Sequence, residues 1–180
     1  MIAIAQRIDF MSENIFKIIE MTEDIAREIS CWKYDGEYAM YSFDGDEEEF
    51  RQVMNGLHLP AVFCDSGELA GFIAVGPAGQ VLNKKSAVIY ADESFTDFAL
   101  GLRPDLCGLG KGYGESLLNA CMSFLKAEFP EDGLRLTVAS NNNRAKRVYE
   151  KNGFKTVFEF RKFTGTPEGR KLIKYEIMQL

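Results

Sequence analysis

Apolar residues recur along this chain in two rhythms, one near every second position and one near every third or fourth. Residues 14–21 (Asn-Ile-Phe-Lys-Ile-Ile-Glu-Met) are dense enough in apolar side chains for a first strand. Thr22 then stands as the cap of a helix over 22–30, with Glu23 and Asp24 in the first turn, where negative charge is favoured. An aromatic stretch follows (Trp32, Tyr34, Tyr38, Tyr41, Phe43), then an acidic-start helix over 46–54. Two short apolar runs, 60–64 and 69–75, flank Asp65-Ser66-Gly67-Glu68, which is a hairpin signature. Residues 94–103 predict a strand that runs into Pro104. Residues 114–129 predict a helix with Leu117, Leu118, Cys121, Met122, Phe124 and Leu125 on its buried side, stopped by Pro130. A strand over 134–139, a helix over 142–152 closed by Gly153, and two strands over 154–163 and 171–180 complete the chain. Hairpins come first and strand–helix units later. The order predicts an α/β chain of the α+β kind: one central mixed, mostly antiparallel sheet flanked by helices on both faces.

Composition narrows the picture. The 180 residues are 46% hydrophobic, which suits one domain over 1–180 with a real core. No apolar run is long enough for a membrane span, and residues 1–7 lack the basic head and long apolar stretch of a secretory signal. Four cysteines (Cys31, Cys64, Cys107, Cys121) show no CxxC pair and no metal-ligand spacing, so free thiols in a cytoplasmic protein are expected. The lone histidine, His58, cannot form a histidine-rich metal site and reads as structural or exposed, so no metal is expected. The net charge of −6 argues against general nucleic-acid binding. Its distribution is uneven. Residues 1–100 hold 7 Lys/Arg and 18 Asp/Glu, whereas residues 101–180 hold 14 and 9. That asymmetry fits an unevenly charged solvated surface. It fits equally a cleft with a polyanionic cofactor on its basic side and a cationic acceptor on the other.

The densest chemical signal runs from Leu102 to Leu118: Leu-Arg-Pro-Asp-Leu-Cys-Gly-Leu-Gly-Lys-Gly-Tyr-Gly-Glu-Ser-Leu-Leu. Glycine occupies 108, 110, 112 and 114. Backbone without Cβ can turn sharply and approach a ligand closely, and the helix start that follows leaves amides unpaired. Such an end attracts phosphate. A Walker A loop fails here, because Lys111 is followed by Gly112 and position 105 is aspartate. A dinucleotide GxGxxG fails as well, since its third glycine would fall on Tyr113 or Glu115.

The segment resembles motif A of the GNAT superfamily of N-acetyltransferases: a strand, a Val/Leu-x-Pro, then (Gln/Arg)-Gly-x-Gly-x-Gly/Ala opening a helix. A second string, Asn142-Asn143-Arg144-Ala145-Lys146-Arg147-Val148-Tyr149-Glu150-Lys151-Asn152-Gly153-Phe154, resembles motif B of the same family. Asn142, Ala145, Val148 and Tyr149 share one helical face. The similarity covers about residues 97–154. It departs at the Gln/Arg position, which is Cys107 counted from Pro104 or Leu109 counted back from Leu117-Leu118. The second register, Gly110-Lys111-Gly112-Tyr113-Gly114, keeps the leucines buried and is preferred. The resemblance implies a GNAT-like fold that binds acetyl-CoA as co-substrate. The amides of Gly108, Gly110, Lys111, Gly112, Tyr113 and Gly114 would hold its pyrophosphate. The backbone of Leu100 and Leu102 would pair with the pantetheine arm, Asn142 would contact that arm, and Tyr149 would face the thioester sulfur. Lys111 is a candidate for a charge contact with phosphate and equally a solvent-facing lysine.

The implied reaction is attack of a neutral primary amine, on a small molecule or peptide, on a thioester, with direct transfer in a ternary complex. A backbone N–H near Leu102 would polarise the carbonyl. Tyr149, whose ordinary pKa is near 10, is a donor for the departing thiolate. Asp97, which opens the strand leading to Leu102, is the first candidate for the base and Glu93 the second; both also read as turn carboxylates. An acyl-cysteine route through Cys107 has no histidine nearby in sequence to activate it. Trp32, Tyr34 and Glu93 are the candidates to line the acceptor site, with Asp35, Glu37, Asp44 and Glu47 as sources of attraction for a cationic amine. Trp32 also reads as core packing. A non-catalytic acyl-CoA sensor on the same fold is the alternative, and Tyr149 favours the enzyme. A nucleotide-binding protein is a third reading, disfavoured by the failed motifs. The strand over 171–180 offers an edge for pairing into a homodimer.

Overall fold

A computed structural model describes residues 15–166 and 169–180. Residues 1–7, on which the absence of a secretory signal was argued, lie outside them, as does Asn14 at the head of the first predicted strand. Seven strands form one sheet: β1 (Phe16–Ile18), β2 (His58–Phe63), β3 (Leu69–Val75), β4 (Phe95–Leu102), β5 (Gly133–Ala139), β6 (Lys155–Thr166) and β7 (Gly169–Gln179). Their spatial order is β1-β2-β3-β4-β5-β7-β6. The β4–β5 pair is parallel and every other pair antiparallel, as the mixed pattern predicts.

The helices form where local chemistry starts and stops them. Thr22 accepts the Ile25 amide at 3.4 Å to begin α1 (Glu23–Ile29), and Asp46 accepts those of Glu48 and Glu49 to begin α2 (Glu47–Val53). Ala26, Ile29 and Val53 from these helices pack with Trp32 and Phe72 on one face of the sheet. A short helix, α3 (Ala87–Tyr90), and 3-10 turns at Gly36–Tyr41, Gly76–Gly79 and Pro104–Leu106 were not legible, since each is too brief to show a period. On the opposite face α4 (Tyr113–Glu128) buries Leu117, Leu118, Cys121 and Leu125 against Ile73, Phe98 and Leu136. Next to it lies α5 (Asn143–Lys151), begun by Asn142 and followed by Gly153 at φ 94°.

Two features of the register matter most. Pairing between β4 and β5 ends at Phe98↔Leu136. Beyond it β4 continues with β3 as far as Gly71↔Leu102, and β5 with β7 as far as Ala139↔Tyr175. The two parallel strands therefore part company and leave a wedge between them. The second feature corrects an expectation. β7 is not an edge: β5 covers one side and β6 the other, so the edges of this sheet are β1 and β6. The C-terminal strand turns back inside its own hairpin because β6, not β7, carries the lower-burial pattern that tolerates solvent.

Candidate active site

The wedge opens into a cavity of about 540 Å³ that runs from the glycine loop to the aromatic segment after α1. At the loop end the lining is backbone. Gly108, Gly110 and Gly112 hold φ of 75°, 69° and 75°, the left-handed region that L side chains avoid. Their alternation turns successive amides inward, the geometry of an anion-binding nest. None of the amides from Gly108 to Glu115 has a hydrogen-bond partner among the described residues; the first engaged is Ser116, bonded to the Gly112 carbonyl at 3.0 Å. A row of free donors thus ends at the start of a 16-residue helix, whose dipole adds to its pull on an anion. The ring of Tyr113 packs on Phe16 and Phe63 and fixes that start to β1 and β2.

Arg144, in the first turn of α5, supplies the cation that the loop lacks at Cys107 and Leu109. Its guanidinium lies so close to Gly108 that a Cβ there would stand 2.9 Å from Nη1, and it stacks 3.9 Å over the Tyr38 ring. Its place inside the second motif was visible, but its reach to the loop depends on how α5 packs. Lys111 lines the cavity with its ammonium 5.9 Å over the Tyr113 ring. Glu115, also in the lining, is held by Lys151 at 2.8 Å, which keeps its carboxyl below the usual carboxylate range.

In the wedge itself the free edge belongs to β4. The Arg103 amide bonds the Ala70 carbonyl at 2.8 Å, so in this antiparallel pair Gly101 and Ala99 also face β3. Leu100 and Leu102 must then point their N–H and C=O groups the other way, into the gap. The Leu102 carbonyl there accepts the Tyr34 hydroxyl at 2.9 Å. Facing this edge from α5, Asn142 accepts the Ala145 amide at 3.2 Å and directs its own NH2 group to the Tyr41 hydroxyl at 3.4 Å. Two helical turns further, Tyr149 lines the cavity with its ring against Phe154. Burial, reinforced by Tyr41 and Cys121, raises its pKa, so the hydroxyl keeps its proton throughout the physiological range. Burial also raises the Cys107 thiol, against the pull of Arg144, so this cysteine is no ready thiolate.

The expected site residues therefore divide. Leu100, Leu102, the loop residues from Gly108 to Gly114, Asn142, Tyr149 and Tyr34 line one cavity. Asp97, Glu93 and Trp32 do not. Asp97 is 5% exposed and sits opposite Arg135 in the last pairs before the wedge. Arg135 Nε and Nη2 hold its two oxygens at 2.6 and 2.9 Å, and Gln80 donates to it at 2.7 Å. Its lone pairs are committed to clamping β4 to β5, which removes it from the expected place as base. Glu93 is exposed in the turn before β4, on no wall of the cavity. Trp32 is buried behind the cavity, 5.9 Å from the Phe72 ring, and acts as packing. Asp35, Glu37, Asp44 and Glu47 are exposed and outside the lining; Asp44 and Glu47 pair with Lys33 and Arg27. The end of the cavity away from the loop is walled by Tyr34, Tyr38, Tyr41, Phe43 and Phe72, with Gln52, His58 and Gln80 among its polar groups. No group of three His, Cys, Asp or Glu suited to a metal occurs among the described residues, nor any helix long and apolar enough to cross a membrane.

Comparisons with known proteins agree with this geometry. The sequence profile described as the acetyltransferase (GNAT) family matches residues 22–154. No curated protein sequence matches the chain. Among solved structures, a GNAT-family acetyltransferase from Bacillus anthracis is similar at 15% identity, with a TM-score of 0.65 over 92% of this chain and 93% of that one. A phosphinothricin acetyltransferase from Sinorhizobium meliloti, solved with AcCoA, is similar at 14% identity and a TM-score of 0.64, covering 92% and 88%. The ribosomal-protein-S5-alanine acetyltransferase of Vibrio fischeri is similar at 12% and 0.61, covering 97% and 96%. At these identities the likeness is one of fold.

Proposed function

The chain belongs to the GNAT acetyltransferase family, and from that premise we propose that it moves an acetyl group from acetyl-CoA to a primary amine of a small molecule or peptide, by direct transfer in a ternary complex. The observation that carries this reading is the row of unpartnered amides from Gly108 to Glu115 opening onto a wedge whose free edge is the backbone of Leu100 and Leu102. A pyrophosphate fits the row, and an extended amide-bearing arm fits the edge. No metal is called for, because the charge to be stabilised is met by oriented amides.

The donor is then held with its thioester in the wedge beside Tyr149. Outward amides of the splayed strand bond the pantetheine arm and polarise the thioester carbonyl. Asn142, fixed by its cap and by Tyr41, orients the arm. Tyr149 gives its proton to the departing sulfur. A hydroxyl kept protonated by burial suits that task, since it cannot be lost to solvent before the bond breaks. The Cys107 thiol, raised by burial, favours direct attack over an acyl-cysteine.

Thermal shift with acetyl-CoA, ATP and NAD in separate samples tests the ligand, because a ligand bound to the native state raises Tm. The expected result is a rise with acetyl-CoA alone. A rise with ATP or NAD and none with acetyl-CoA overturns the reading. CoA release is then followed with 2-phenylethylamine, spermidine, free lysine and an alanine-led peptide. Release with at least one amine is expected. Binding without release from any amine would make the chain an acyl-CoA sensor instead.

A further inference from the structure

We propose that His58 is the general base of the transfer, taking the proton of the acceptor's ammonium group at the aromatic end of the cavity. The proposal rests on the acetyltransferase reading above and adds the residue that reading lacks. The base expected from sequence, Asp97, is occupied by Arg135 and Gln80 outside the cavity. The cavity walls offer few replacements. Their tyrosines carry protons, Lys111 and Arg144 are cations at the loop end, and Glu115 is tied to Lys151. Among the described lining residues, His58 alone is a neutral side chain with a basic lone pair free to face the acceptor.

The register places it well. His58 stands opposite Ala74, and Ala74 opposite Ala99. Ala99 is the first β4 residue past the last β4–β5 pair, at the apex of the wedge. Paired residues share a face of the sheet, so His58, Ala74 and Ala99 stand side by side on the cavity wall, in a row that leads to the point where the thioester would lie. With strands spaced about 4.8 Å apart, that row spans roughly 10 Å between the outer Cα atoms, room for an imidazole and an amine. Alanine at the one intervening position, 74, and again at 99 leaves only methyl groups along that row.

The tautomer follows from the hydrogen bonds. Asn55 Oδ1 accepts the Leu57 amide at 2.9 Å, which identifies that atom as the oxygen. His58 Nδ1 lies 3.1 Å from the same oxygen. Nδ1 must therefore donate, which leaves the lone pair on Nε2. The groups in contact with the imidazole are neutral, Asn55 in the turn after α2 and Phe72 on β3, and the α2 residue that lines the same cavity, Gln52, is neutral too. Burial lowers the imidazole's pKa, and no charged neighbour opposes that shift, so His58 is unprotonated at neutral pH. The same wall lacks a carboxylate, so an entering ammonium is desolvated without compensation and gives up its proton more readily.

The step balances. Nε2 takes one proton from the ammonium, and the neutral nitrogen attacks the carbonyl carbon. The C–N bond forms and the C–S bond breaks. Sulfur takes the Tyr149 proton, and the nitrogen's second proton returns to the Tyr149 oxygen. His58 then releases its proton to solvent.

Because the chain holds a single histidine, its imidazole signals in a 15N-labelled sample belong to His58 without assignment. The native protein with acetyl-CoA should show the Nδ1–H tautomer and a pKa below the ordinary value near 6.5. An Nε2–H tautomer, or an imidazolium at neutral pH, overturns the proposal. In the activity arm, the amine giving the fastest CoA release of the four named above is used. His58→Gln should lower kcat/KM for that amine by roughly 10²–10⁴ while leaving acetyl-CoA affinity unchanged. Asn55→Asp places a carboxylate beside Nδ1–H and should move the lower break of the pH–rate profile upward by about one unit or more. An unchanged rate in His58→Gln, or an unmoved break in a folded Asn55→Asp, overturns the role. Failure of the native protein to bind acetyl-CoA would instead overturn the transferase reading, leaving the tautomer measurement to stand alone.

Discussion

The two ends of the cavity are built by different means. The loop end is built of main chain: contiguous amides, three left-handed glycines and one helix start, all from residues 108–115. The other end is built of side chains drawn from the 3-10 turn Gly36–Tyr41, from α2, from β2 and β3, and from β7. A main-chain site needs only that side chains stay out of the way, so its mark is a local glycine pattern. A side-chain site needs several distant residues to converge, so it leaves no local mark. On the proposed function, acetyl-CoA would be held by the first and the amine chosen by the second. Outside the cavity, the Asp97–Arg135 pair clamps β4 to β5 one residue before the point at which the two strands separate.

Breaking the chemistry where the two ends meet should have the largest effect. Tyr149→Phe is expected to reduce kcat by roughly 10²–10⁴ with acetyl-CoA affinity little changed; steady-state kinetics decides it, and an unchanged kcat removes Tyr149 from the acid role. Next comes the clamp that keeps the ends in register. Arg135→Leu strands a buried carboxylate and should cost about 3–5 kcal/mol, seen as a fall in Tm of roughly 6–20 °C at 2–4 °C per kcal/mol for a chain of this size. Asp97→Asn sharpens the point. It should lower Tm while the folded fraction keeps its kcat, whereas a hundredfold loss of kcat at unchanged Tm would return Asp97 to the chemistry.

The loop end should respond more gently. Gly110→Val puts a β-branched residue at φ 69°, which costs about 1–2 kcal/mol, a strain that the free loop relieves by relaxing out of the cradle shape. Calorimetry should show acetyl-CoA binding weakened by roughly tenfold, with the Tm of the unliganded protein little altered. Arg144→Ala removes one cation beside Gly108 and its stack on Tyr38. Affinity for acetyl-CoA should fall by a few-fold, about 0.5–1 kcal/mol, and should become less sensitive to salt.

The smallest effect concerns stability and pH. The folded-state pKa of His58 lies below its unfolded value, so between the two the unfolded chain binds a proton that the native chain does not. Stability is therefore full above about pH 6.5 and declines as pH falls toward the folded pKa. Denaturant titrations at several pH values should show that decline in the native protein and a flatter profile in His58→Gln.

What could be read in advance follows the same division. The fourth helix, expected over 114–129, spans Tyr113–Glu128, because sixteen residues give its apolar stripe several turns in which to repeat. The cap at Thr22 was legible, because a cap bonds an amide only two or three residues away. The loop was legible for the same reason. The role of Asp97 was not, since its partner is 38 residues distant and joins it only through the parallel pairing of β4 with β5. Of the two readings of His58, structural or exposed, burial rules out the second, and its place in the cavity wall was not legible. Nothing local announces that its strand lies two places from the wedge.

The sequence by itself determined the longer elements, the cap at Thr22 and the backbone cradle, because each depends on interactions within a few residues. Only the tertiary structure decided which carboxylate is spent on a clamp, which strands form the edges, where β4 and β5 separate, and which side chains look into the gap. Those outcomes depend on strand order and register, and a shift of one residue in register turns every side chain to the opposite face.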